Sequence, residues 1–142
     1  MFTDNSEQIL QELQRKARLA LSAVGEKAEG HAKDGCPVDT GRLKNSISYA
    51  TIDKVGGGDS PKAPVKEGEV VIGTNVDYAV YVEHGTGIYA DTGLGRKTPW
   101  MYKDDKGVWH KTKGQKPTHF LEHAGTRYAS EYKALMTKIM KS

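Results

Sequence analysis

Apolar positions recur at helical spacing at both ends of the chain and at strand spacing between them. Ile9, Leu13, Ala17, Ala20, Val24 and Ala28 stand three or four residues apart, which at about 100° per residue is one narrow stripe. The stripe predicts a helix over roughly 6–33, with its side chains shrinking toward the C-terminal end, where Gly25 and Gly30 also lower helix propensity. A helix of that length outruns a small domain, so part of it is expected to pack on another subunit. Gly35-Cys36-Pro37 ends it. Asp39 and Thr40 can cap a short second helix over 41–46, because their side-chain oxygens accept free first-turn N–H groups.

Residues 47–52 and 69–73 then read as strands, separated by a glycine- and proline-rich loop over 54–67 that is expected to be mobile. Residues 75–84 carry two signals. Val76, Tyr78, Val80 and Val82 alternate as a strand would, yet Asp77 suits an N-cap and Gly85 the position after a helix. A short helix is expected. Next come Thr98–Lys103, a turn at Asp104–Gly107, and Val108–Lys113, the pattern of a β-hairpin. With Lys103 opposite Val108, Tyr102 would face Trp109, with Trp100 diagonal on the same face; a one-residue shift would split those aromatics. A lone hairpin is marginal in water, so this one needs a surface to lie on. Leu121, Ala124, Tyr128, Tyr132, Leu135 and Ile139 form the stripe of a last helix over about 118–140.

The expected fold is therefore α+β: a small antiparallel sheet packed with a long N-terminal and a C-terminal amphipathic helix, plus a protruding β-hairpin arm. Residues 1–142 are read as one domain, with the loop at 54–67 and the arm at 88–116. Composition sharpens this. Only 37% of residues are hydrophobic, sixteen are glycine, and the mean hydropathy is −0.64, so the core must be thin. The net charge is +3, but Arg96, Lys97, Lys103, Lys106, Lys111, Lys113 and Lys116 crowd into the arm against Asp104 and Asp105. A local basic segment suggests a local acidic partner. The lone Cys36 forms no intrachain disulfide, which fits a reducing compartment. The N-terminus carries no signal segment and no apolar run is long enough to span a bilayer.

Three patterns invite enzymatic readings. Asp39-Thr40-Gly41 and Asp91-Thr92-Gly93 repeat the triplet of aspartic proteases, but neither is fed by apolar strands and the chain is too short for two lobes. His119-Phe120-Leu121-Glu122-His123 has the spacing of a zinc-binding helix. No third ligand is identifiable, and on the helical wheel both histidines fall opposite the apolar stripe. The glycine clusters lack the lysine and the following helix of a phosphate loop. No catalytic, cofactor-binding or metal-binding residue is expected. Lysines interleaved with Trp100, Tyr102 and Trp109 could instead grip a phosphate backbone. An arm whose aromatics anchor on a neighbouring subunit is the preferred reading.

Three stretches carry a resemblance: 37–47 (Pro37-Val38-Asp39-Thr40-Gly41-Arg42-Leu43-Lys44-Asn45-Ser46-Ile47), 73–87 (from Gly73-Thr74-Asn75 through Tyr78-Ala79-Val80-Tyr81 to His84-Gly85-Thr86-Gly87), and Lys116-Pro117 with Phe120-Leu121. In order and spacing the chain resembles the minor tail-component or neck family of long-tailed bacteriophages, which includes head-to-tail joining (tail-completion) proteins. The Trp100–Trp109 hairpin resembles an insertion common in members from Gram-positive hosts. Where Glu122 and His123 stand, that family tends to carry an apolar or basic residue.

The resemblance implies a structural virion protein with no catalytic residues and no cofactor. It implies a homo-oligomeric ring, expected to be hexameric, that joins the head connector to the tail tube and lets DNA pass. The implied partners are other copies of the chain, portal or head-completion proteins, the tail tube or tail terminator protein, and transiently phage DNA, with no membrane. Assembly would occur in the host cytoplasm. Ile9, Leu13, Trp100, Tyr102 and Trp109 are the expected interface residues, and Lys103, Lys111 and Lys113 the candidates to face DNA. Within the motifs, Asp39 and Thr40 are read as caps and Gly41 as a site of tight packing. Arg42 is read as reaching a carboxylate, Tyr78 and Tyr81 as docking the short helix on the sheet, and Gly85 as a positive-φ exit. The competing function is a nucleic-acid-binding module using 96–116.

Overall fold

A computed structural model describes residues 4–38, 41–54, 64–104 and 106–142. The first element is a 30-residue helix, α1 (Ser6–Gly35), about 45 Å long at the usual rise. It is followed by α2 (Arg42–Ser46), β1 (Ser48–Ala50), β2 (Val71–Gly73) and α3 (Ala79–His84). After a 3₁₀ turn at Gly87–Tyr89 come β3 (Trp100–Lys103), β4 (Trp109–Thr112), α4 (Phe120–Thr126) and α5 (Ala129–Lys141). The architecture is the expected mixture of helices and small antiparallel sheet. The strands form two separate pairs: β1 with β2, Tyr49 opposite Ile72, and β3 with β4.

The C-terminal half of α1 is the spine. Its stripe is buried at Ala20, Val24, Ala28 and Ala32, joined by Leu21 and Gly25, and α4, α5, β1 and β2 pack along it. One core cluster joins Ala32 and Cys36 to Leu43, Ile47, Val76, Ala79, Phe120 and Ala124. A second joins Val24 and Ala28 to Tyr132, flanked by Val70, Tyr128, Leu135 and Met136. The alanines let neighbouring elements come close. At Gly25 even a methyl group is too large, because a Cβ there would lie 2.5 Å from the Tyr49 ring. The glycine that lowers helix propensity is thus the seat of the sheet. Polar ties fix the outside of α1: Arg18 pairs with Glu67 at 3.0 Å and Lys27 with Glu131 at 2.8 Å. His31 stacks on Tyr128 with centroids 3.5 Å apart.

Several expectations are corrected. The last helix is broken at Arg127-Tyr128 and begins at Phe120, not Thr118. Gly125 lowers propensity there, and Thr126 Oγ1 donates to the Glu122 carbonyl, a back-bond that bends helices. Asp77 does not cap α3; the cap position is Tyr78 and no side chain bonds there. Tyr78 and Tyr81 do not dock α3, being 38% and 59% exposed. The buried side is Val76, Ala79 and Glu83, which at about 100° per residue lies across the helix from them. That side meets α4 and shares a core cluster with Ile72 of β2. Gly41 is not a close-packing site either: among the described residues a Cβ would meet Asn45 alone, at 3.7 Å, and its φ of +81° is what requires glycine. Gly85 does leave α3 with φ +81°. The proposed caps Asp39 and Thr40, and 55–63 of the expected loop, lie outside the described residues.

Candidate functional site

The chain leaves the body at Gly85 and returns at Pro117. Backbone bonds close the neck of this excursion: Thr86 N–H donates to Gln115 O at 2.9 Å, Ile88 to Lys113 at 3.1 Å, and Thr118 to Val82 at 3.0 Å. At the tip, Gly107 takes φ +81°. Asp104 Oδ1 accepts the N–H groups of Lys106 at 2.9 Å and Val108 at 2.8 Å. This turn spends three residues between Asp104 and Val108, a common hairpin loop with its last residue left-handed.

The longer turn moves the register by one from the expected pairing. Lys103 stands opposite Trp109, and Tyr102 opposite His110. Tyr102 and His110 stack with centroids 5.2 Å apart. The single aromatic face read from sequence is therefore split, because side chains alternate along a strand. Trp100, Tyr102, His110 and Thr112 share one face; Met101, Lys103, Trp109 and Lys111 share the other. Arg96 covers Trp100, with its guanidinium 5.6 Å from the ring centroid. Trp109 is 62% exposed, with Lys103 across the ladder from it and Lys111 two residues on. Lys113 lies past the strand and is exposed.

The other predicted interface, the start of α1, is equally uncovered. Ile9, Leu10 and Leu13 are 58%, 65% and 46% exposed. The motif residues gather elsewhere, at a cleft of about 740 Å³ between α2, α3 and the returning segment 115–118. Gly41, Arg42, Leu43, Tyr78, Val82 and Lys116 line it. Tyr78 and Arg42 are thus cleft residues, brought together from two motifs.

The sequence from the N-terminus to the end of α3 is what identifies the chain, since residues 2–85 match the family described by the bacteriophage HK97-gp10 tail component. The chain belongs to that tail-component family. The match takes in α1 through α3 and stops where the excursion begins. No curated protein and no solved structure matches the chain. A tail component is a structural protein of the virion. Among the described residues of this one, no helix is long and apolar enough to cross a membrane.

Two features of the tail component escaped the sequence reading. Glu83 is 8% exposed, and its carboxylate accepts the N–H groups of Leu121 at 2.9 Å and Glu122 at 3.0 Å. It caps α4 from a distance, satisfying orphan first-turn donors. No local spacing signals a cap 38 residues away. Second, His119 is not on a helix but at the cap position of α4, in the left-handed region at φ +51°. It therefore cannot serve as the first histidine of a zinc-binding helix, and His123 turns to Arg127 instead. Cys36 is buried, and that burial pushes its thiol up from the ordinary value, which leaves little of the nucleophilic thiolate.

Proposed function

We propose that this tail component is the repeating subunit of a homo-oligomeric ring, six-membered, in the phage neck. The ring joins the head connector to the tail tube and leaves DNA a central passage. Its neighbours are portal or head-completion proteins on one side and the tail tube or tail terminator protein on the other. The observation that carries the reading is where the large apolar side chains sit. Ile9, Leu10 and Leu13 at one end of the spine, and Met101 and Trp109 on the arm, are each about half exposed or more. The two fully buried large side chains among the described residues are Phe120 and Ile47. Uncovered apolar groups at two separate places suit a heterologous contact, in which the helix end of one copy meets the arm of the next. Such contacts make a ring when the rotation closes.

Native mass measurement and negative-stain imaging test this, on the protein alone and mixed with the portal-side and tail-tube proteins of the same virion. Rings, or co-assembly with those partners, are expected, and both should be lost in an Ile9→Asp/Leu13→Asp variant. A strict monomer under all these conditions overturns the reading.

A second reading has its own observation. The register places Lys103 and Lys111 around Trp109 on one strand face, an arrangement suited to a phosphate backbone and a stacked base. It predicts salt-sensitive DNA binding that disappears when Lys103, Lys111 and Lys113 become glutamate. Unchanged binding in that variant removes it.

A further inference from the structure

The neck of the excursion holds a cluster that neither the family nor the ring accounts for. His84 ends α3, Asp91 follows the 3₁₀ turn, and His119 precedes α4. His84 Nδ1 lies 3.1 Å from Asp91 Oδ1, and His119 Nε2 lies 3.1 Å from Asp91 Oδ2. One ligand atom from each residue, with a single Asp91 oxygen, gives a set of three that all fall within 4.8 Å of one another. Backbone bonds hold them there: Asp91 N–H donates to His84 O at 2.9 Å, and His119 N–H to Glu83 O at 3.1 Å.

Three observations point to a cation. First, the spacing fits: ligands of a tetrahedral zinc ion at about 2.0–2.1 Å stand about 3.3 Å from each other. Second, His119 is hemmed in by carboxylates on both sides of its ring. Its Nδ1 is shielded from solvent without a hydrogen bond, yet sits 3.0 Å from Glu122 Oε2 and 3.9 Å from Glu83 Oε1. A small turn of the Glu122 side chain gives Nδ1–H an acceptor. In that arrangement the Nε2 lone pair faces Asp91, the usual outer-shell support of a metal-binding histidine. A lone pair facing a carboxylate needs a positive charge between them, and His84 converges on the same point. A proton bridges one such pair; a metal ion serves all three. Third, His119 is the only non-glycine with positive φ among the described residues, and such strain concentrates where a site demands it.

We propose that His84 Nδ1, the Asp91 carboxylate and His119 Nε2 bind one divalent transition-metal ion of the zinc class. Two imidazoles and one carboxylate suit zinc or cobalt rather than calcium or magnesium. The ion leaves a coordination position for water and acts as a clamp, tying the end of α3, the outgoing loop and the start of α4 together at the base of the arm.

The test uses the full chain without a histidine tag, stripped with chelator and titrated with zinc chloride by calorimetry and with cobalt chloride by visible absorption. One equivalent per chain is expected to bind at micromolar metal, with a rise in Tm and slower amide exchange over 85–95 and 113–119. His84→Ala and His119→Ala should each abolish binding. Glu122→Gln should weaken it about tenfold, as outer-shell changes do, and His123→Ala should leave it unchanged. Metal-free Tm values of the variants establish that each folds. Absence of zinc and cobalt binding by the parent chain overturns the proposal. So does binding that survives loss of both His84 and His119, or that depends on His123.

Discussion

The two halves of α1 belong to one helix and one apolar stripe, yet they are built in opposite ways. The C-terminal half buries Leu21, Val24, Ala28 and Ala32 beneath the sheet and α4–α5, while the N-terminal half leaves Ile9, Leu10 and Leu13 in solvent. Burial of a large aliphatic side chain is worth about 1.5–3 kcal/mol, so Ile9, Leu10 and Leu13 hold apolar surface that goes unused within one subunit. The arm repeats the lesson with Trp109 and Met101. Position along the spine separates two tasks: its C-terminal half carries the core of one chain, and the large side chains at its start remain available to something outside it.

The sharpest way to break that contrast is to damage the body. Phe120 is 1% exposed and central to the first core cluster. Phe120→Ala should cost about 3–5 kcal/mol, read as a lower urea midpoint, and a loss under 1 kcal/mol would show that the core is not there. Gly25→Ala comes next. Alanine favours helix by about 1 kcal/mol over glycine, but its methyl collides with Tyr49 and Val70. A net loss of about 1–3 kcal/mol is expected, and a gain in Tm would mean that the sheet stands off the helix.

The periphery should behave otherwise. Ile9→Ser with Leu13→Ser is expected to change monomer stability by no more than about 0.5 kcal/mol per site while abolishing assembly, measured by sedimentation against the parent. An equal fall in stability would place those residues in a core. Trp109→Ala should do the same to assembly with still less effect on thermal unfolding.

The smallest effect concerns the tip of the arm. The hydrogen bond from His110, at 2.7 Å, holds the Asp104 carboxyl below its ordinary range, helped by the N–H groups of Val108 and Lys106. A carboxylate with a lowered folded-state pKa stabilises the turn above its ordinary pKa of 3.8, and this support fades as pH falls through the lowered value. Cross-strand contacts between Tyr102 and His110 should therefore weaken on acidification before the body unfolds. NMR of the hairpin protons reads this, and a hairpin equally ordered at pH 2 would contradict it.

How far the sequence reached depends on the range of the interaction. Helical and alternating periodicity are properties of a few neighbouring residues, and they placed α1, α2, the first sheet and the hairpin within a few positions. The uncovered start of α1 was legible in the same way, as a stripe too long for its domain. The hairpin register was not, because it turns on one side chain: Asp104 gathers two N–H groups and lengthens the turn by a residue. Tyr78 and Tyr81 were misplaced because membership of a motif does not say which face of a short helix meets the core.

What only the tertiary structure decided lies between segments distant in the chain. Glu83 reaches the first turn of α4, and His84, Asp91 and His119 meet at one point, across separations with no local periodicity to mark them. The excursion from Gly85 to Pro117 brings them together, and its closure is fixed by backbone bonds at the neck. Sequence alone determined which stretches would be helix or strand and that large apolar groups would be left over. Long-range closure decided which polar groups stand face to face.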